Sequence, residues 1–136
     1  MRLFVLFILW LAGTAAIFYG MCSNLPKLMV LSERGVETRG KVLDLSAIQS
    51  HAVRYSFQGN DGKEYSGKGW AGYGNPSFRD LSAGQTVMVF YDPKDPNLSV
   101  LGDPKKERNN ELKGNILCVF GLTVVFVYIL TRRLFI

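Results

Sequence analysis

The chain has 136 residues, a formal charge of +5, 48% hydrophobic residues and only 20% charged ones. This length holds one small domain beside any membrane segment and excludes a large multi-domain enzyme, while the apolar content excludes intrinsic disorder. Two cysteines exclude a disulfide-rich scaffold or an all-cysteine zinc site, and the basic balance keeps a polyanion or an anionic membrane open until the charges are located.

The first element is apolar. No charge lies between Arg2 and Lys27, and 18 of those 24 positions are hydrophobic. About 20 such residues span a bilayer core, and the backbone must then satisfy its own hydrogen bonds as a helix. Residues 1–25 therefore read as a first transmembrane helix. A cleaved signal peptide is the competing reading, but the apolar run continues past Ala12–Ala16 through Ile17, Phe18 and Tyr19, beyond the usual 7–15-residue core. A lipoprotein site at Cys22 lacks the expected Leu and small residues before it. Asn24 and Pro26 then start a short juxtamembrane helix over 26–35, ended by Gly35.

Residues 36–103 read as an all-β domain. The spacing predicts a strand over Gly40–Ile48 and a second from His51 to Phe57, with Val53, Tyr55 and Phe57 on one face. Asp61-Gly62 marks a hairpin turn, with a return strand from Glu64 to Trp70. The glycine-rich stretch Gly67–Phe78 reads as a loop. Gln85–Tyr91 is apolar on both faces and reads as a strand covered on both sides. Asp92-Pro93 and Asp95-Pro96 read as a turn, and Leu98–Leu101 as a last short strand. Five strands in so short a segment suit a small barrel or sandwich, which closes its edges. Residues 104–113 read as a linker, 114–132 as a second transmembrane helix extended by Arg132 and Arg133, and 133–136 as a tail.

The charge follows this division. Residues 27–113 carry thirteen basic and eleven acidic side chains, a net of +2, and the rest of the excess is Arg2, Arg132 and Arg133. The basic balance is mostly membrane punctuation, which argues against a nucleic-acid partner.

Gly40-Lys41-Val42, the Val53/Tyr55/Phe57 strand, Asp61-Gly62-Lys63-Glu64-Tyr65, Gly84–Pro93, Asp95-Pro96 and Ser99-Val100-Leu101 form a pattern between two membrane helices. It resembles the bacterial membrane proteins of the domain of unknown function 3592 family. The resemblance implies this architecture and carries over no activity and no catalytic residue.

No side-chain set points to catalysis, a cofactor or a metal. His51 is the single histidine, and Cys22 and Cys118 lie at or inside apolar runs, where a thiolate is disfavoured. Asp92, Asp95, Asn97 and Asp103 lack the spacing of a calcium loop, and three of these aspartates precede prolines. Gly67, Gly69, Gly72 and Gly74 lack the Gly-Lys-Ser/Thr and the helix of a phosphate loop.

Two groups remain as candidates. Trp70, Tyr73 and Phe78 are candidates for partner or lipid contact; the reading favours burial for Trp70 and leaves contact open for the other two. Ala12, Ala16 and Gly20 recur every four residues, with Gly114 and Cys118 as a shorter stripe, and small faces let helices approach in lipid. Their expected partner is the other helix of this chain, with homo-oligomerisation as the alternative. A Cys22–Cys118 disulfide is disfavoured because Cys118 falls inside the bilayer.

The expectation is a non-enzymatic, multi-pass protein of the bacterial inner membrane. It contacts lipid and binds a membrane-protein partner through its β-domain as an accessory or assembly subunit. The basic residues near the helix ends lean towards a cytoplasmic domain. The alternatives are an immunity-type or stress-protective protein that neutralises a toxin, and a nucleic-acid-binding barrel on a membrane anchor.

Overall fold

The computed structural model describes residues 2–46 and 51–134. Two apolar helices, at the N- and C-terminal ends, flank a five-stranded antiparallel, barrel-like sheet. The chain divides into two compact units, one of residues 1–25 with 109–136 and one of residues 26–108.

In the first unit, helix α1 spans Arg2–Met21. Its partner belongs to helix α3, Pro104–Leu134. Both helices are long and apolar enough to cross a membrane. Hydroxyls inside the apolar runs return their protons to the helix backbone: Thr14 Oγ1 donates to the Trp10 carbonyl at 2.9 Å and Thr123 Oγ1 to that of Val119 at 2.8 Å. This satisfies the hydroxyls within the helix itself.

The expected linker over 104–113 is helical and forms the first turns of α3. Asp103 Oδ1 accepts the Lys105 N–H at 2.9 Å, an N-cap directly before a proline at the first helical position, where a missing N–H costs nothing. Of the expected tail, residues 133 and 134 continue the helix, and 135 and 136 lie outside the described residues, as does Met1.

In the second unit, helix α2 (Leu25–Arg34) buries Leu28 and Leu31. The strands are β1 (Val36–Ser46), β2 (Ala52–Gln58), β3 (Glu64–Gly69), β4 (Thr86–Asp92) and β5 (Asp95–Leu101). The sheet order is β3-β2-β1-β4-β5, and β3 comes back against β5, so the sheet nearly closes. The core is Val42, Val53, Tyr55, Phe57, Leu81, Val87, Val89, Tyr91 and Leu101. Each fully buried aliphatic side chain of this kind contributes about 2 kcal/mol.

Two strand starts differ by several residues from the sequence reading, and one loop start moves with them. β1 starts at Val36, four residues before the expected Gly40, because Val36 pairs with Tyr91 and Lys41 with Thr86 on its far side. The expected end at 47–48 lies outside the described residues. β5 starts at Asp95, not Leu98: the turn is the two residues Pro93-Lys94, closed by Asp92 opposite Asp95. Pro96 then sits within β5, an end strand of the sheet, where a missing ladder donor is tolerated. Gly67 and Gly69 lie inside β3, within the expected return strand Glu64–Trp70, so the glycine-rich loop starts after Gly69 and not at Gly67. A Cβ at Gly67 would strike the Tyr55 ring, so the glycine makes room for an aromatic opposite it in the ladder.

β1 carries a bulge between Val42 and Asp44, which bends the strand. β4 pairs on both sides, with β1 and β5, and its apolar outer residues Met88 and Phe90 are both half-buried.

Candidate functional site

The site forms where β3 ends. Asp61-Gly62 sets the hairpin: Gly62 has φ +78, and Asp61 Oδ1 accepts the Lys63 N–H at 3.1 Å. The Tyr65 hydroxyl donates to Asp61 Oδ2 at 2.7 Å. That bond, then the Lys63 amide, holds the Asp61 carboxyl below the usual range. The hairpin fixes a register of Arg54 opposite Lys68 and Val53 opposite Gly69. Exposure alternates along β3, so Glu64, Ser66, Lys68 and then Trp70 point outward.

Beyond β3 the chain is held by its backbone. Gly72 has φ +73, and a Cβ there would collide with the Leu101 carbonyl, so only glycine fits this crossing. The Asp103 N–H donates to the Tyr73 carbonyl at 2.7 Å. Asn75 extends the ladder with its side chain: Oδ1 accepts the Met88 N–H at 2.7 Å, and Nδ2 donates to the Met88 carbonyl at 3.0 Å and to that of Ala71 at 2.8 Å. A 3-10 turn at Phe78–Asp80 follows, its entry fixed by the Ser77 hydroxyl donating to Asp80 Oδ2 at 2.6 Å.

These constraints build a cleft of about 340 Å³ lined by His51, Trp70, Ala71, Gly72, Ser77, Phe78 and Arg79. Phe78 is half-buried and packs against the core. The His51 ring meets it edge-on, with centroids 4.8 Å apart at 89°. His51 itself has φ +56, unusual for a residue with a side chain. Trp70 stands over the cleft at 66% exposure, which overturns the expected burial: the alternation of β3 turns it outward, and Phe78 fills the position nearer the core. Tyr73 is 42% exposed and outside the lining. Among the described residues, the lining presents three aromatic rings, a guanidinium and no carboxylate or thiol.

The helix-packing candidates are placed differently. Ala12, Ala16, Gly20 and Cys118 are exposed within the chain, and Gly114 is half-exposed. A Cβ at Gly20 or Gly114 would meet nothing within 4 Å. The contact between the two helices of the first unit runs instead through Trp10 stacked on Phe126, with centroids 5.2 Å apart, and through Asn115 Nδ2 donating to Cys22 Sγ at 3.1 Å. A large indole in this seam fills the space that a small-residue face would close. Both cysteines are free thiols.

The structure adds an ion pair that the sequence reading assigned only to a turn. Asp92 is fully buried, and Arg34 from α2 donates to its Oδ2 from Nε at 3.0 Å and Nη2 at 2.6 Å. The Lys94 N–H takes Oδ1 at 3.0 Å. The Arg34 bonds hold the Asp92 carboxyl below its ordinary range against the opposing effect of burial. Nearby in this unit, Arg108 Nη1 donates to Ser32 Oγ at 2.9 Å, and burial lowers the Lys27 ammonium, with Glu107 opposing. The signal for Asp92 was its place at the end of an apolar strand, where a lone carboxylate needs a partner.

Residues 31–106 match the family model for the domain of unknown function DUF3592. The chain belongs to this family. The DUF3592 region takes in the end of α2, all five strands and the start of α3, and so holds both partners of the Arg34–Asp92 pair and the whole aromatic cleft. No curated protein and no solved structure matches the chain.

Proposed function

We propose that this DUF3592 chain is a non-enzymatic, multi-pass protein of a bacterial inner membrane whose β-domain binds a protein partner, as an accessory or assembly subunit of a membrane complex. One observation carries the reading: an exposed tryptophan at the mouth of a ring-lined cleft, on a domain whose remaining aromatics mostly serve its core. Folding gains nothing from an indole left in water, whereas tryptophans are enriched among the residues that dominate interface energies. The basic residues flanking the helices favour a cytoplasmic β-domain.

The test is a pull-down of the tagged full-length protein in detergent, wild type beside Trp70→Ala. Trp70 lies outside the core, so the variant keeps its fold. A stoichiometric membrane-protein partner present with wild type and lost with Trp70→Ala supports the proposal. The absence of any such partner with wild type overturns it. Labelling of an introduced Asn60→Cys from each side of the membrane reads the orientation.

A further inference from the structure

We infer that the first turns of α3 bind the phosphate headgroups of anionic phospholipids through Lys105, Lys106 and Lys113. The inference rests on the membrane-spanning reading of α3 and is independent of any partner at the cleft. The charges of this stretch are sorted by helix face. Lys105, Lys106, Asn109, Asn110 and Lys113 are exposed, whereas Glu107, Arg108 and Glu111 are half-buried. With side chains three and four apart lying side by side, Lys105, Asn109 and Lys113 form one row, and Lys106, Asn110 and Lys113 the adjoining one. The charged residues between them turn the other way. Glu107 acts electrostatically on Lys27 and Tyr55, Arg108 donates to Ser32 Oγ at 2.9 Å, and Glu111 keeps a carboxylate oxygen buried. Asp103, just before the helix, caps the Lys105 N–H. Among the described residues 104–113, the exposed ones therefore carry three ammonium groups and no carboxylate.

What this face leads into points to its occupant. The same rows continue through Ile116, Leu117, Phe120 and Val124, all exposed, and residues 114–131 hold no charge. One face of one helix passes from lysine to hydrocarbon without a break. An acidic protein or a nucleic acid matches the lysines but not the apolar surface adjoining them. A phospholipid offers phosphate and acyl chain side by side, in that order. Lys113 stands at the edge of the apolar run, and Lys105 and Lys106 lie roughly 10–12 Å further along the axis. Their long stems bring the ammonium groups back towards a headgroup layer about 5–8 Å deep. A lysine this close to an anionic surface is worth about fivefold in affinity.

The experiment titrates the full chain in detergent with phosphatidylglycerol or phosphatidylcholine of identical acyl chains and counts bound lipids by native mass spectrometry. The expected result is a preference of about tenfold or more for phosphatidylglycerol, reduced by added salt. The combined Lys105→Gln, Lys106→Gln and Lys113→Gln variant, altered only at exposed positions, binds both lipids alike. The corresponding triple arginine variant keeps the preference. Equal binding of the two lipids by wild type, or a preference that survives the glutamine variant, overturns the inference. Displacement of the lipid by an equal concentration of glycerol phosphate assigns the face to a soluble phosphate and also overturns it. So does tighter binding of an oligoglutamate peptide or a single-stranded oligonucleotide than of the lipid. Failure of the chain to insert into liposomes of either lipid removes the membrane-spanning reading and this inference with it, whereas insertion into both without a lipid preference removes this inference alone.

Discussion

Arg34 at the end of α2 and Asp92 at the end of β4, 58 residues apart, form a two-donor ion pair in which the carboxylate is fully shielded from water. The pair ties the helix to the sheet on which the cleft is built. Asp92→Asn removes the charge that two guanidinium N–H groups address, and the expected outcome is a lower unfolding midpoint at neutral pH. Arg34→Lys keeps the charge but supplies one donor in place of the fork, and falls between wild type and Asp92→Asn.

The same pair predicts a pH dependence. The Asp92 carboxyl is held below its ordinary value, so the folded state binds its proton less readily than the unfolded chain. The stabilisation is fully present above the unfolded value of about 3.9 and is lost as pH falls through the lower folded value. The gap in unfolding midpoint between wild type and Asp92→Asn should be constant near neutrality and shrink in acid. Asp61, also lowered, adds acid sensitivity common to both proteins.

Inside the barrel, the Tyr55 hydroxyl and Ser99 Oγ share a buried hydrogen bond of 2.9 Å. Burial pushes the Tyr55 phenol up, with the Ser99 bond opposing. Tyr55→Phe strands the serine hydroxyl and is expected to cost about 1–3 kcal/mol. Ser99→Ala does the same to the tyrosine. The double variant should lose less than the two single losses combined, because the second change removes the orphaned group. Urea unfolding followed by near-UV circular dichroism measures all three.

Two glycines separate backbone conformation from close approach. Gly84 has φ +82 with nothing near a Cβ, whereas Gly72 has φ +73 with the Leu101 carbonyl in the way. Gly84→Ala should cost about 1–2 kcal/mol from its left-handed backbone alone. Gly72→Ala should cost clearly more and disturb the loop bearing Trp70 and Tyr73. Thermal unfolding of both variants checks the order.

Asn75 gives a local test. Its carboxamide accepts the Met88 N–H and donates to the Met88 and Ala71 carbonyls. Asn75→Ala should speed hydrogen exchange at Met88 and leave amides of the β1–β2 ladder protected, because the lost bonds tie the loop to β4 and none reaches that ladder.

Local grammar carried much of this architecture. The apolar end runs, the Asp61-Gly62 turn and the alternation of β2 are short-range signals, and the family pattern lies on the strands they define. What escaped depends on long-range pairing. The first residues of β1, Val36–Arg39, read as part of the β-domain but of no strand, because their partners are in β4. Asp92 read as a turn former because Arg34 meets it only in the fold. Trp70 read as core because apolar area says nothing of which way a strand's last residue turns. The helical start of α3 was legible in Asp103-Pro104, the same cap-and-proline signal that marked the start of α2, but the charged stretch behind it looked like a linker.

The place of β1 in the middle of the sheet sets a timetable for synthesis. Its β2 neighbour follows at once, but the strand for its other edge emerges only about 45 residues later, several seconds at about 5–20 residues per second. Throughout that interval β1 is half of an open sheet. The exposed Glu37, Arg39 and Lys41 then serve as guards, since charged side chains discourage foreign strands from joining an unfinished edge. The strand that organises the barrel is also the one that must wait longest for its second partner.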